Sequence, residues 1–95
     1  MIASFGDKAT EALFHGEPCL RRIPADIRHA AVRKLDLLNG AHSLQDLRSP
    51  PGNRLEVLRG DLHGFHSLRV NDQWRVVFRW EVGNAHAVKL MDYHR

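Results

Sequence analysis

The sequence predicts an α+β fold in which two N-terminal helices pack on one face of a mainly antiparallel β-sheet, in the order β-α-α-β-β-β-β. Two observations carry that expectation. Apolar residues recur at helical spacing up to residue 40, and they alternate with polar ones from residue 54 onward. Between the two regimes stands Ser49-Pro50-Pro51-Gly52-Asn53, the clearest breaker in the chain. With 95 residues, 43% of them hydrophobic and 26% charged, the chain can bury one core and no second, so residues 1–95 are expected to form a single domain.

Met1 to Phe5 is short and apolar and reads as a strand. Asp7 can then cap a helix running through Ala9, Ala12, Leu13 and Phe14 and stopped by Gly16. Residues 17–23 have no clear period. Pro24 is placed as the first residue of a second helix, with Asp26 near its positive end. Ile27, Ala31, Leu35 and Leu38 form one apolar stripe, most of Arg28, Arg33 and Lys34 falls outside it, and Asn39-Gly40 ends the helix. Ser43 to Leu47 could add one helical turn.

Leu55 and Val57 then share one parity, Phe65 to Val70 forms a second strand, and Trp74, Val76, Phe78 and Trp80 alternate with Arg75, Val77 and Arg79. Asn71-Asp72 and Gly83-Asn84 have the chemistry of tight hairpin turns, Gly60 and Gly64 bracket a polar connection, and Ala85 to Tyr93 completes the sheet. The aromatic parity is expected to meet the helices. That leaves Arg75 and Arg79 together on an open face.

Lysine and arginine total 14 against 11 acidic residues, a formal charge of +3, which favours polyanionic partners. The distribution says more than the sum, because Arg48, Arg54, Arg59, Arg69, Arg75, Arg79 and Arg95 all lie in the strand half. Guanidinium forks match phosphate oxygens bidentately, so such a sheet suits nucleic acid. Cys19 is the sole cysteine, which excludes an intrachain disulfide and fits a reducing compartment. The opening residues lack a basic region followed by an apolar run, and no stretch approaches the roughly 18 apolar residues of a membrane span. A cytoplasmic protein with no membrane contact is expected.

RNA can be cut without a protein nucleophile, because its 2′-hydroxyl attacks the adjacent phosphate once a base takes the proton and an acid protects the leaving 5′-oxygen. Cations must stabilise the phosphorane. The chain offers Glu56 or Asp92 as base, His94 or Tyr93 as proton carriers, and Arg59 and Arg75 as cations. Glu56 has an equally good structural reading as a cross-strand partner for an arginine. The parity of Trp74, Phe78 and Trp80 assigns them to the core in preference to base stacking, for which Tyr93 is the better candidate. Seven histidines invite a metal reading, but His63 and His66 are the only close pair and no cysteine accompanies them, so no metal site is expected.

Three blocks resemble the HigB-type toxins of the RelE/ParE superfamily: Asn53-Arg54-Leu55-Glu56-Val57-Leu58-Arg59-Gly60-Asp61, Val70-Asn71-Asp72-Gln73-Trp74-Arg75-Val76-Val77-Phe78-Arg79-Trp80, and Asp92-Tyr93-His94. The likeness extends to Met1–Phe5 and the Pro24-led helix, so it covers nearly the whole chain. It implies a RelE-like fold and the toxin of a bacterial type II toxin–antitoxin pair, a metal-independent endoribonuclease that cleaves ribosome-bound mRNA and so inhibits translation. It implies no cofactor, a helix-turn-helix antitoxin (HigA-like) as partner, and a heterodimer or heterotetramer with it.

Carried over by the resemblance, the catalytic set is Arg59, Arg75, Asp92, Tyr93 and His94. Glu56 joins it at a position where some members have histidine. Arg54, Arg69 and Arg79 are candidates for RNA binding. A carboxylate at 56 could serve as the base, and it could act as the acid only with a strongly raised pKa. Two other readings use the same fold: a ParE-like toxin acting on DNA gyrase without nuclease activity, whose relatives lack the Asp-Tyr-His ending, and an RNA-binding module that does not cleave.

Overall fold

A computed structural model of the chain describes residues 1–18 and 23–93; Cys19, Leu20, Arg21, Arg22, His94 and Arg95 lie outside the described residues. Helix α1 spans Lys8–Phe14 and α2 spans Ala25–Gly40. Four antiparallel strands follow, β1 (Glu56–Val57), β2 (His66–Arg69), β3 (Trp74–Glu81) and β4 (Asn84–Asp92), hydrogen-bonded in that order. Three short 3-10 turns, Leu44–Arg48, Pro51–Asn53 and Gly60–Leu62, fill the connections.

Asp7 caps α1 as its side chain suggests, accepting from the Thr10 amide at 2.8 Å. Pro24 proves to be the N-cap of α2, one residue outside the helix, and the helix continues through Gly40. The stripe Ile27, Ala31, Leu35 and Leu38 is buried as expected and forms one wall of the core. Helix α1 packs on α2 and β4, while α2 packs on β3 and β4. Trp74, Val76 and Phe78 of β3, Leu68 of β2 and Leu90 of β4 form the opposite wall.

The first five residues do not form a full strand. They run parallel to β4 through two isolated bridges, Ile2 with Ala85 and Phe5 with Val88. The interruption comes from β4 itself: its pairing with β3 shifts by one residue between Val77 and Arg79, and Ala87 takes a left-handed φ of 52°. The Ala87 amide is accepted by the Ser4 hydroxyl at 2.9 Å instead of by backbone. Gly6 ends this segment so close to β4 that a Cβ there would meet the Ala87 carbonyl at 2.9 Å.

Three details depart from the pattern expected. Val57 shares the helix-facing parity of Leu55, yet it is exposed, because the helices cover β3 and β4 and the outermost strand extends past them. The β3–β4 turn is Val82-Gly83, with Glu81 paired to Asn84, so Asn84 already belongs to the strand. The face away from the helices is also partly covered, since Leu58 and Val77 on it are buried.

Val82 is 98% exposed and holds φ at 49° in a two-residue turn whose second member, Gly83, has φ 77°. Both positions demand positive φ, which suits Asn-Gly and strains a β-branched residue. Val82→Asn is therefore expected to stabilise the fold by about 0.5–1 kcal/mol in urea denaturation, while an unchanged midpoint would show that the turn carries no strain.

His66 lies on the helix-facing side of β2 with its ring stacked on Phe78 at 5.7 Å. Its Nδ1 is buried with no hydrogen-bond partner among the described residues, and burial holds its pKa below the ordinary 6.5. The unfolded chain protonates this histidine more readily than the folded one, so stability is full above about pH 6.5 and declines as pH falls toward the lower folded value. His66→Phe should flatten that acid-side decline in melting temperature measured between pH 7.5 and 5. An identical slope in the variant would assign the decline to other groups.

Candidate active site

The face of the sheet away from the helices collects the cations that the alternation assigns to it. Arg69 and Arg75 stand directly opposite each other across β2 and β3, Ser67 stands opposite Val77, and Glu56 stands opposite Ser67. Two guanidinium groups in adjacent positions repel. Each is met by a carboxylate: Arg69 pairs with Asp72 in the β2–β3 connection, and Arg75 Nη1 lies 2.7 Å from Glu56 Oε1.

Arg75 is the centre of the cluster. Its Nη1 also donates to Ser67 Oγ at 2.9 Å, and its guanidinium carbon lies 5.4 Å from the centre of the Tyr93 ring. Only 13% of its side chain is exposed, against 55% for Glu56. An ion pair, a hydroxyl and a ring face thus fix the fork from three sides. Among the described residues Nε and Nη2 have no hydrogen-bond partner. Sequence reasoning placed Glu56 either in catalysis or in a cross-strand ion pair. The ion pair is present, and it reaches across β2 to the arginine of β3.

Ser67 escaped the sequence reading. The signal available was its parity: two residues before Arg69 on β2, it shares the arginine side, and a serine fully buried there needs a polar partner. Arg79 is on the same face, two same-face steps along β3 from Arg75, and its guanidinium lies 4.6 Å from the centre of the Phe65 ring. Arg59 is exposed at the start of the Gly60–Leu62 turn, and Arg54 is exposed with a left-handed φ of 44°.

The C-terminal trio is split. Tyr93 reaches the arginine side, whereas Asp92 stands opposite Trp74 and so belongs to the helix-facing side of the sheet. Its Oδ2 accepts from Gln73 Nε2 at 3.0 Å. A strand sends neighbouring side chains to opposite faces, so Asp92 and Tyr93 cannot both face Arg75. His94 is outside the described residues.

A second basic locus lies behind the breaker segment. Asn53 is fully buried; its amide donates to the Leu47 and Ser49 carbonyls at 3.2 Å, and its oxygen accepts from Lys34 of α2. Burial, followed by the charges of Arg33 and Arg69, lowers the Lys34 pKa. The lysine thereby ties α2 to the segment that leads into β1 and Glu56.

Helices over a four-stranded antiparallel sheet with an arginine-rich open face constitute a RelE-like α+β fold. The same fold is found in a chain of the YoeB–YefM complex from Staphylococcus aureus, which matches all of this chain over 99% of its own length with a TM-score of 0.56 at 17% identity. In sequence the chain is 45% identical to Toxin HigB-1 of Vibrio cholerae over 85 residues, 90% of each protein. It is 29% identical to Endoribonuclease HigB of Proteus vulgaris over 94 residues, 99% of this chain and all of that one. It belongs to the RelE-like HigB toxins of type II toxin–antitoxin systems, whose family pattern it matches across residues 3–94. Among the described residues no helix is long and apolar enough to cross a membrane, and no three histidine, cysteine or acidic side chains are grouped to hold a metal ion.

Removing the Arg75 side chain strands the buried Ser67 hydroxyl and frees Glu56. Arg75→Ala is expected to cost about 1–3 kcal/mol of stability, whereas Arg59→Ala, in solvent, should stay within about 0.5 kcal/mol of the parent. Denaturant titrations of the two variants read this contrast directly.

Proposed function

We propose that this toxin is an endoribonuclease that cleaves mRNA held by the ribosome, with Arg75 as the phosphate anchor of its active site. The observation that carries the reading is the three-sided fixation of Arg75 by Glu56, Ser67 and Tyr93 on an open, basic sheet face. The family membership and the name of the Proteus vulgaris relative support it.

In this mechanism the scissile phosphate takes the free edge of the Arg75 fork, and the guanidinium stabilises the charge that builds on the phosphorane. Glu56, held beside it as a carboxylate, accepts the 2′-hydroxyl proton. The 2′-oxygen bonds to phosphorus, the bond from phosphorus to the 5′-oxygen breaks, and an acid protonates that oxygen. The products are a 2′,3′-cyclic phosphate and a 5′-hydroxyl. His94 is the candidate acid, next in sequence to Tyr93, whose ring faces the guanidinium. Asp92 acts from the other face, orienting the chain end through Gln73, and Arg59, Arg54, Arg69 and Arg79 hold flanking phosphates.

The ribosome has a physical role in this scheme. An open sheet face grips a strand but does not bend it, and attack requires the 2′-oxygen in line with the leaving group. A codon fixed in the decoding site supplies that constraint. The partner that restrains the toxin between uses is a helix-turn-helix antitoxin, assembled with it as a heterodimer or heterotetramer in the cytoplasm.

Purified ribosomes programmed with a defined message test the reading. The parent protein should release fragments with cyclic-phosphate ends, and Arg75→Ala and Glu56→Gln should each slow release by at least about 100-fold while remaining folded by circular dichroism. Intact message together with inhibited DNA supercoiling by gyrase would establish the non-nuclease alternative instead.

A further inference from the structure

The partly covered face away from the helices contains a half-open cavity of about 200 Å³. Its lining is Leu62 and Phe65 from the β1–β2 connection, Val77 of β3, and Lys89 and Met91 of β4, with Gly6 and Ala87 where the N-terminal segment meets the bulge. The walls are mainly apolar, with a single formal charge from Lys89. Clefts that take drug-sized ligands run to roughly 300–1,000 Å³, so this one holds a single planar ring system at most.

Its position gives it meaning. Met91 stands directly opposite Arg75 in the ladder, and Val77 stands directly opposite Ser67, the residue that holds Arg75 Nη1. The cavity therefore begins one same-face step from the proposed phosphate anchor, roughly 7 Å by strand rise, a distance that the sugar between a phosphate and its base can span. Phe65 is held in place by the Arg79 guanidinium on its ring, so an aromatic wall is already oriented.

Resting on the nuclease reading above, we propose that this cavity receives the base of a nucleotide adjoining the scissile phosphate. The base stacks on Phe65 and packs against Leu62 and Met91, while Lys89 lies beside the backbone that follows. Recognition here is by ring and shape, because the lining offers few hydrogen-bonding groups for a base edge. Seating the base also draws the strand down against Arg75 and fixes the rotation about the sugar that sets up in-line attack.

The test is an abasic scan on programmed ribosomes. Messages carrying one abasic nucleotide at each position around the cut are compared with intact message, using the parent protein, Leu62→Trp, which fills the cavity, and Met91→Ala, which removes a wall from a different element. For the parent, one flanking position should show a roughly 10- to 100-fold slower cut when its base is missing, the range that base stacking supplies. In both variants the intact message should be cut more slowly and that abasic penalty should shrink toward nothing. Equal cutting of all abasic messages by the parent overturns the proposal, as does a penalty that persists undiminished in a folded variant. Failure of the parent to cut even intact message is separately visible and removes the nuclease reading together with the pocket.

Discussion

The alternation of β3 is the constraint on which everything else in this protein depends. It is an interior strand of the sheet, so its eight residues must satisfy two environments at once: Trp74, Val76 and Phe78 against the helices, Arg75, Val77 and Arg79 on the other side. A slip of one residue would put guanidinium groups into the core and indoles into water. The hydrophobic face therefore fixes, without further help, where Arg75 projects. Its neighbours then follow from register, with Ser67 supplied by β2, Glu56 by β1 and Tyr93 by the strand end.

Much of this could be read from residue order, and the reasons differ element by element. The α2 stripe and the β3 alternation are long periodic patterns in which every position agrees, so both faces were legible. The N-terminal segment was legible as extended, but not as two bridges, because its irregularity originates 80 residues away in the Ala87 bulge. Val57 carried the right parity and the wrong environment, since parity says which side of a sheet a residue occupies and not whether a helix reaches that far. The turn at Val82-Gly83 was displaced by one residue because valine gives no hint that it will adopt positive φ.

The site was legible in composition more than in geometry. Arginine positions follow from alternation, and the pairing of Glu56 with an arginine was one of two readings open for it. The division between Asp92 and Tyr93 also follows from alternation once the strand is known to run through Asp92. Three consecutive residues in a motif invite the assumption of one shared site, whereas an extended backbone sends them to alternate sides. Ser67 was invisible because its role is relational: a small hydroxyl matters here only through the guanidinium two strands' breadth from the edge.

The Arg75–Glu56 pair has one more consequence, for how the protein senses ionic conditions. An arginine that enters a complex from bulk water neutralises a phosphate and lets a condensed cation escape, and the count of such escapes sets how steeply affinity falls with salt. Arg75 and Arg69 arrive already matched, with Glu56 and Asp72 as built-in counterions. A polyanion bound beside these pairs would meet cations already neutralised, so fewer condensed cations would escape in net and part of the gain would be cancelled. Binding of a polyanion to this face would thus depend less on ionic strength than the number of arginines suggests, because the carboxylates mute its charge.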